Sequence, residues 1–208
     1  MASPAVRNSK KRAYHHGDLE RALLETAVQM IQKEGVQALT LRGVGARLGV
    51  SRTALYRHFV DKQDLLCRVA AEGFKRFHEA LSTAVARAEA RGDDPMPAMA
   101  AAYARFARSY PSHYQTMFSG VLTGEKRHPD LERHGEAAFN VLFDAIRRGQ
   151  EDGRIRRGNA VELAEITWAL SHGLATLEMA NQLRSPSRSL EARARTGWTR
   201  LEQGLRAK

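Results

Sequence analysis

The stretch that most limits how this chain can fold runs from Thr40 to Phe59: T-L-R-G-V-G-A-R-L-G-V-S-R-T-A-L-Y-R-H-F. A Ser or Thr side chain accepts a hydrogen bond from the free backbone N–H groups at a helix start. Thr40 and Ser51 therefore each predict a helix beginning just after them. Gly49 stands between the two helices, where the chain needs a positive φ to turn sharply. Leu41, Val44 and Leu48 mark the inner face of the first helix and Val50 anchors the turn. Leu55 and Phe59, four positions apart, mark the inner face of the second, which is expected to run to about Phe59. Two short helices joined by a tight turn have the spacing of a helix-turn-helix, whose second helix can enter the DNA major groove.

The faces of that second helix sort by chemistry. With Leu55 and Phe59 inward, Arg52, Thr53, Tyr56 and Arg57 lie on other faces. Arg52 and Thr53 fall in the first turn, where side chains reach base edges: Arg can bind guanine bidentately and a Thr methyl can pack on thymine. Tyr56, His58 and Lys62 suit phosphates. Thr40 and Ser51 add backbone N–H groups at helix starts that favour the same anions, and Arg42 extends the candidate surface.

Charge supports this reading. The 208-residue chain carries a net charge of +10, from 33 Lys and Arg against 23 Asp and Glu. The first third is richer still: Arg7, Lys10, Lys11 and Arg12 stand in an acid-free segment, followed by Arg42, Arg47, Arg52 and Arg57. Clustered positive charge is what binding a phosphate backbone through counterion release requires. Residues 1–16 are expected to form a flexible basic arm that either stays solvated or lies against DNA.

Helical periodicity continues along the whole chain, with no convincing strand alternation. A first helix is expected from Asp18 to Gly35, with Leu19, Leu23, Ala27, Met30 and Ile31 inside. A fourth, capped by Asp61, is expected to reach toward Arg91. Gly92-Asp93-Asp94-Pro95 is a clear break, followed by helical patterns over 96–109, 111–119, 130–151, 160–181 and 189–206. The expected fold class is all-α. Residues 17–62 would form a three-helix DNA-binding domain, joined by the long fourth helix to a helical ligand-binding and dimerisation domain over 63–208.

Other classes find little support. One cysteine, Cys67, cannot form an intramolecular disulfide, so a reducing cytoplasm is expected, with Cys67 as a small buried hydrophobe. No stretch approaches the ~20 apolar residues of a membrane span. The eight histidines form no HExxH or Cys/His cluster, and His15-His16 are merely adjacent. No phosphate loop, dinucleotide fingerprint or paired catalytic constellation is present. The expectation is no metal, no cofactor, no enzymatic activity and no membrane partner.

The segment from G-D-L-E-R-A-L-L-E-T-A at residue 17 to L-Y-R-H-F-V-D-K-Q-D-L-L at residue 66 resembles the TetR family of bacterial transcriptional regulators. The combination of a recognition helix with Lys62 opening the fourth helix is the specific part; the Gly43/Gly45 pair departs from it. The resemblance implies a homodimer that reads a near-palindromic operator in double-stranded DNA. It implies base contacts at Arg52, Thr53 and Ala54, and phosphate contacts at Thr40, Tyr56, His58 and Lys62. Trp168, His172 and Gly173 further resemble a Trp-His-Gly signature of one branch. By the same likeness, the helices at 160–181 and 189–206 pair with a partner's.

Aromatic and Met residues concentrate in the second half. Tyr103, Phe106, Tyr110, Tyr114, Met117, Phe118, Phe139, Phe143, Trp168 and Met179, with polar groups such as His172 and Glu178, are the candidate lining of an apolar pocket for an unknown small-molecule effector. The function expected is a ligand-responsive repressor. A nonspecific DNA-binding protein and a helical small-molecule enzyme carrying a DNA-binding domain are the alternatives.

Overall fold

A computed structural model describes residues 16–118, 120–122, 128–184 and 189–205. The expected basic arm lies outside the described residues, apart from His16. Among them the secondary structure is entirely helical: α1 (His16–Glu34), α2 (Leu41–Leu48), α3 (Arg52–Tyr56), α4 (Lys62–Glu89), α5 (Pro95–Ser109), α6 (Pro111–Phe118), α7 (Pro129–Glu151), α8 (Ala160–Met179) and α9 (Leu190–Leu205).

The helix boundaries follow local chemistry. Gly35, at φ 82°, closes α1 by donating to the Ile31 carbonyl at 2.9 Å. Asp61 caps α4 by accepting from the Asp64 N–H at 2.8 Å. Asp94 caps α5, whose first residue is a proline that needs no donor there. One expectation is corrected: α3 ends at Tyr56 rather than near Phe59. The N–H groups of His58 and Phe59 both turn back to the Leu55 carbonyl, at 3.0 and 3.1 Å. That tight turn swings Phe59 into the core and brings Asp61 round to start α4.

Two hydrophobic clusters organise the chain, and α4 belongs to both. Its first turns place Leu65, Leu66 and Val69 against Leu23, Ala27 and Ile31 of α1, Val44 of α2 and Leu55 and Phe59. Further along, Phe77, Leu81 and Val85 join a larger cluster with α5, α6, α7, α8 and α9. Leu122 packs against both. A helix of 28 residues spans about 42 Å, so α4 is a single rod linking the two cores.

Small residues set two helix crossings. At Gly73 a Cβ would lie 2.6 Å from the Met117 sulfur and 3.1 Å from the His113 Cβ, so glycine lets α6 press onto α4. At Gly43 a Cβ would lie 2.9 Å from the Thr40 Oγ1 and 3.0 Å from the end of Met30. Gly45 faces the Leu55 side chain, where a Cβ would come within 3.4 Å. The glycine pair that departs from the family pattern thus lets α2 sit close to its own cap, to α1 and to α3.

Candidate nucleic-acid interface and effector cavity

The helix-turn-helix is held by three local devices. Thr40 Oγ1 accepts from the Gly43 N–H at 3.0 Å, and Ser51 Oγ accepts from the Ala54 N–H at 3.2 Å. Between them Gly49 takes φ 71°, with its N–H on the Ala46 carbonyl at 3.2 Å. Leu55 and Phe59 are sealed in the core. Their burial fixes the rotation of α3 and leaves Arg52, Thr53, Tyr56 and Arg57 exposed, with Ala54 half-buried. The Arg52 guanidinium lies 5.4 Å from the Tyr56 ring centre, a cation–π contact that restrains both outward-facing side chains. Arg42 and Arg52 border one groove between α2 and α3.

Lys62 and His58 differ in placement. Lys62 Nζ donates to the Gln37 carbonyl at 3.1 Å, tying the start of α4 to the loop before α2. Its remaining protons can still meet an anion. The His58 side chain is only 9% exposed, and its Nδ1 lies 3.9 Å from the Glu20 carboxylate. The structure therefore turns His58 toward α1, away from the outward surface where a phosphate contact was expected. Sequence spacing missed this because α3 ends early.

An ionic brace joins α1, the α3–α4 turn and α4. Arg68 donates to Glu20 at 2.6 Å and to Asp64 at 3.1 Å, and lies 5.1 Å from the centre of the Phe59 ring. Asp64 also accepts from the Val60 N–H at 3.0 Å. Burial works against the Arg68 charge, but the hydrogen bonds to Asp64 and Glu20 outweigh it and raise its pKa. Cys67 is half-buried, and burial followed by the nearby Asp64 and Asp61 charges pushes its thiol pKa up, away from nucleophilic use.

The second cluster contains a cavity of about 70 Å³. It exists because small residues face large ones: Ala100, Gly135, Ala138 and Ala194 leave space among Phe77, Phe139, Trp168 and Trp198. Phe118, at the end of α6, closes one side at 5.6 Å from Phe74 and 6.1 Å from Trp168, centre to centre. Behind the wall, the Tyr103 and Tyr114 hydroxyls meet His172 Nδ1 at 3.0 and 2.9 Å. Burial lowers the His172 pKa and raises those of both tyrosines. A neutral ring whose Nδ1 lone pair accepts from one of the two phenols fits those directions.

Two family models match the chain. Residues 23–69 match the bacterial regulatory proteins of the tetR family, and residues 96–201 match the tetracyclin repressor-like C-terminal domain. This chain belongs to the TetR family. Members of that family are DNA-binding transcriptional regulators that act as dimers, with ligand effectors in some structures. A Rhodococcus protein of unknown function shares the fold with a TM-score of 0.82 and 30% identity, over 95% of this chain and 100% of that one. An uncharacterized HTH-type transcriptional regulator of Mycobacterium tuberculosis is 27% identical over 158 residues, 76% of this chain and 69% of the relative. Against an uncharacterized HTH-type regulator of Bacillus subtilis, 25% identical over 99 residues, the chain spans about half (51%) of the relative's length. No described helix of this TetR-family chain is long and apolar enough to cross a membrane.

Within the matched C-terminal segment, the cavity gathers only part of the residues expected to line it. Phe118 and Trp168 do line it. Tyr114 and His172 stand one layer behind, linked through Tyr103. Phe106 and Met117 are buried in the surrounding core. Phe143 is half-buried elsewhere on α7, and Tyr110 borders outer clefts beside Arg76. Tyr103 and Phe139, from the same expected set, line it too, and so do Phe74, Phe77, Met96, Met99 and Trp198, which were not expected there. Their common signal was helical periodicity on four separate helices, which marks a core but not a gap within it.

Proposed function

We propose that this TetR-family chain is a homodimeric repressor that grips a near-palindromic operator and releases it when a small hydrophobic effector enters the cavity. The observation that carries the reading is the fixed presentation of α3. Leu55 and Phe59 lock its inner face, while Arg52, Thr53, Tyr56 and Arg57 project outward from the first two turns after the Ser51 cap. Arg52 and Thr53 then read bases. Tyr56, Arg57, Arg42, Lys62 and the N–H groups near Thr40 and Ser51 hold phosphates.

Dimerisation through α8, with α9 beside it, is supported by exposed apolar side chains. Val161, Ile166, Leu177 and Met179 are all exposed on this one helix, and Trp168, which also lines the cavity, is partly so, an uncommon concentration for a monomer. A two-fold dimer presents two α3 helices, whose half-sites must lie about one DNA turn, ~34 Å, apart.

Coupling between the sites has a short physical route. Phe118 lines the cavity and ends α6. That helix packs on α1 of the DNA-binding module as well as on α4. An effector that displaces Phe118 shifts α6, and the shift reaches both α3 helices through α1 and α4. The effector needs only to bind the released state better by a few kcal/mol.

The test is selection of bound duplexes from a random DNA pool by the full-length protein. An inverted repeat with half-sites one turn apart is expected. Enrichment of no sequence would replace this reading with charge-driven nonspecific binding.

A further inference from the structure

The cavity has a chemistry narrower than general hydrophobicity. None of its lining side chains carries a charge. Its largest lining side chains are rings, among them Phe74, Phe77, Phe118, Phe139, Trp168 and Trp198, with Met96 and Met99 beside them. An ion entering this space would lose its hydration with nothing of opposite sign to meet it. The titratable group just behind the wall, His172, favours its neutral form because it is buried.

Against this apolar lining one polar group is unanswered. Trp198 is 2% exposed and its indole Nε1 has no hydrogen-bond partner. The indole N–H is a donor only, and a buried donor without an acceptor is costly to keep. Two other polar groups of the wall are already engaged. Thr167 Oγ1 donates to the Leu163 carbonyl at 2.7 Å, and the Tyr103 hydroxyl meets His172. Ser171 supplies the remaining hydroxyl.

We propose that the cavity, widened from about 70 Å³ as Phe118 moves aside, takes an uncharged, compact ring compound bearing one hydrogen-bond acceptor, such as a carbonyl or ether oxygen, and that the Trp198 indole N–H donates to that acceptor. The inference rests on reading this cavity as the effector site. Rings give the ligand edge-to-face contacts, the absence of charge excludes carboxylates and phosphates, and the single orphan donor orients the molecule. Trp198 lies on α9, which packs against α5 and α8, so the oriented ligand touches the helices nearest the exposed α8 face.

The chain has two tryptophans, Trp168 and Trp198, and both line the cavity. Intrinsic fluorescence therefore reports on it directly. Full-length protein is titrated with 1-indanone, indane and indane-1-carboxylate, which differ in a carbonyl acceptor and in charge. The expected result is saturable quenching by indanone with about five- to tenfold tighter binding than indane, and no saturable change with the carboxylate. Trp198→Phe should abolish the indanone preference while retaining indane binding; Trp168→Phe should leave the preference intact. Equal affinity for indanone and indane in the unaltered protein overturns the acceptor, whether or not the variants fold. So does a preference that survives in folded Trp198→Phe. Carboxylate binding as tight as indanone binding overturns the exclusion of charge. If none of the three probes changes fluorescence or the melting temperature, the cavity is no effector site, and the underlying reading falls with the proposal.

Discussion

The two hydrophobic cores of this chain are built from similar residues to opposite ends. The N-terminal core seals Leu23, Ile31, Leu55, Phe59, Leu65 and Leu66 completely, and its helix starts are satisfied by Thr40, Ser51 and Asp61. The C-terminal core mixes large rings with Ala100, Ala138, Ala194 and Gly135, and it retains both a cavity and an orphan donor. Close packing makes the first a rigid presenter, because every displacement of α3 would open a void. Underpacking makes the second adaptable, because side chains around a gap can move without losing many contacts. In the proposed switch, rigidity where α3 would read bases and slack where an effector would enter are complementary requirements.

The sharpest way to break the comparison is to open a hole in the sealed core. Phe59→Ala is expected to cost about 3–5 kcal/mol, seen as a large loss in urea or thermal denaturation together with loss of DNA binding. A cost below ~1 kcal/mol would mean that the N-terminal core is as forgiving as the other. Next in size is Gly73→Ala at the crossing of α4 and α6. The added methyl would sit 2.6 Å from the Met117 sulfur, and overpacking of this kind costs roughly 1–3 kcal/mol. A melting temperature equal to that of the parent protein would show that α6 yields freely.

A smaller effect is expected at the cap of α3. Ser51→Ala removes the acceptor for the Ala54 N–H and should lower stability by about 1 kcal/mol, with weaker binding to every duplex. The mildest effect is on pH dependence. Burial lowers the pKa of both His113 and His172 below the ordinary 6.5; for His113, Glu72 opposes the shift and Arg76 adds to it. Above pH 6.5 both the folded and unfolded chains are neutral at these sites. Below it the unfolded chain takes up protons that the folded chain resists, so stability falls as pH falls. His113→Phe should lose less melting temperature between pH 7 and pH 5 than the parent; an unchanged slope would remove His113 from the explanation.

Local chemistry was legible in the sequence, and distant packing was not. The residues Thr40, Gly49 and Ser51 specify their own caps and turn, so α2 and the start of α3 follow from neighbours a few positions away. The same holds for the breaks at Pro95, Pro111 and Pro129, each of which opens a helix. The placement of His58 beside Glu20 was not legible, because it depends on a carboxylate of α1 that lies far away in sequence. The Gly43 and Gly45 pair made sense only once Met30 and Leu55 were seen across the gap. The cavity was least legible of all. Phe118 and Trp168 were named among its candidates, but Trp198 sits on another helix, and a void depends on small residues meeting across the bundle.

The most direct measurement compares Arg52→Ala with Lys62→Ala on the selected operator and on duplexes altered one base pair at a time. Arg52→Ala should erase discrimination at a single base-pair position, by about 1–3 kcal/mol. Lys62→Ala should weaken all duplexes alike and reduce the salt dependence by about one phosphate contact. If Arg52→Ala kept full discrimination at every position, α3 would not be reading bases through its first turn, and the assignment of this surface would be wrong.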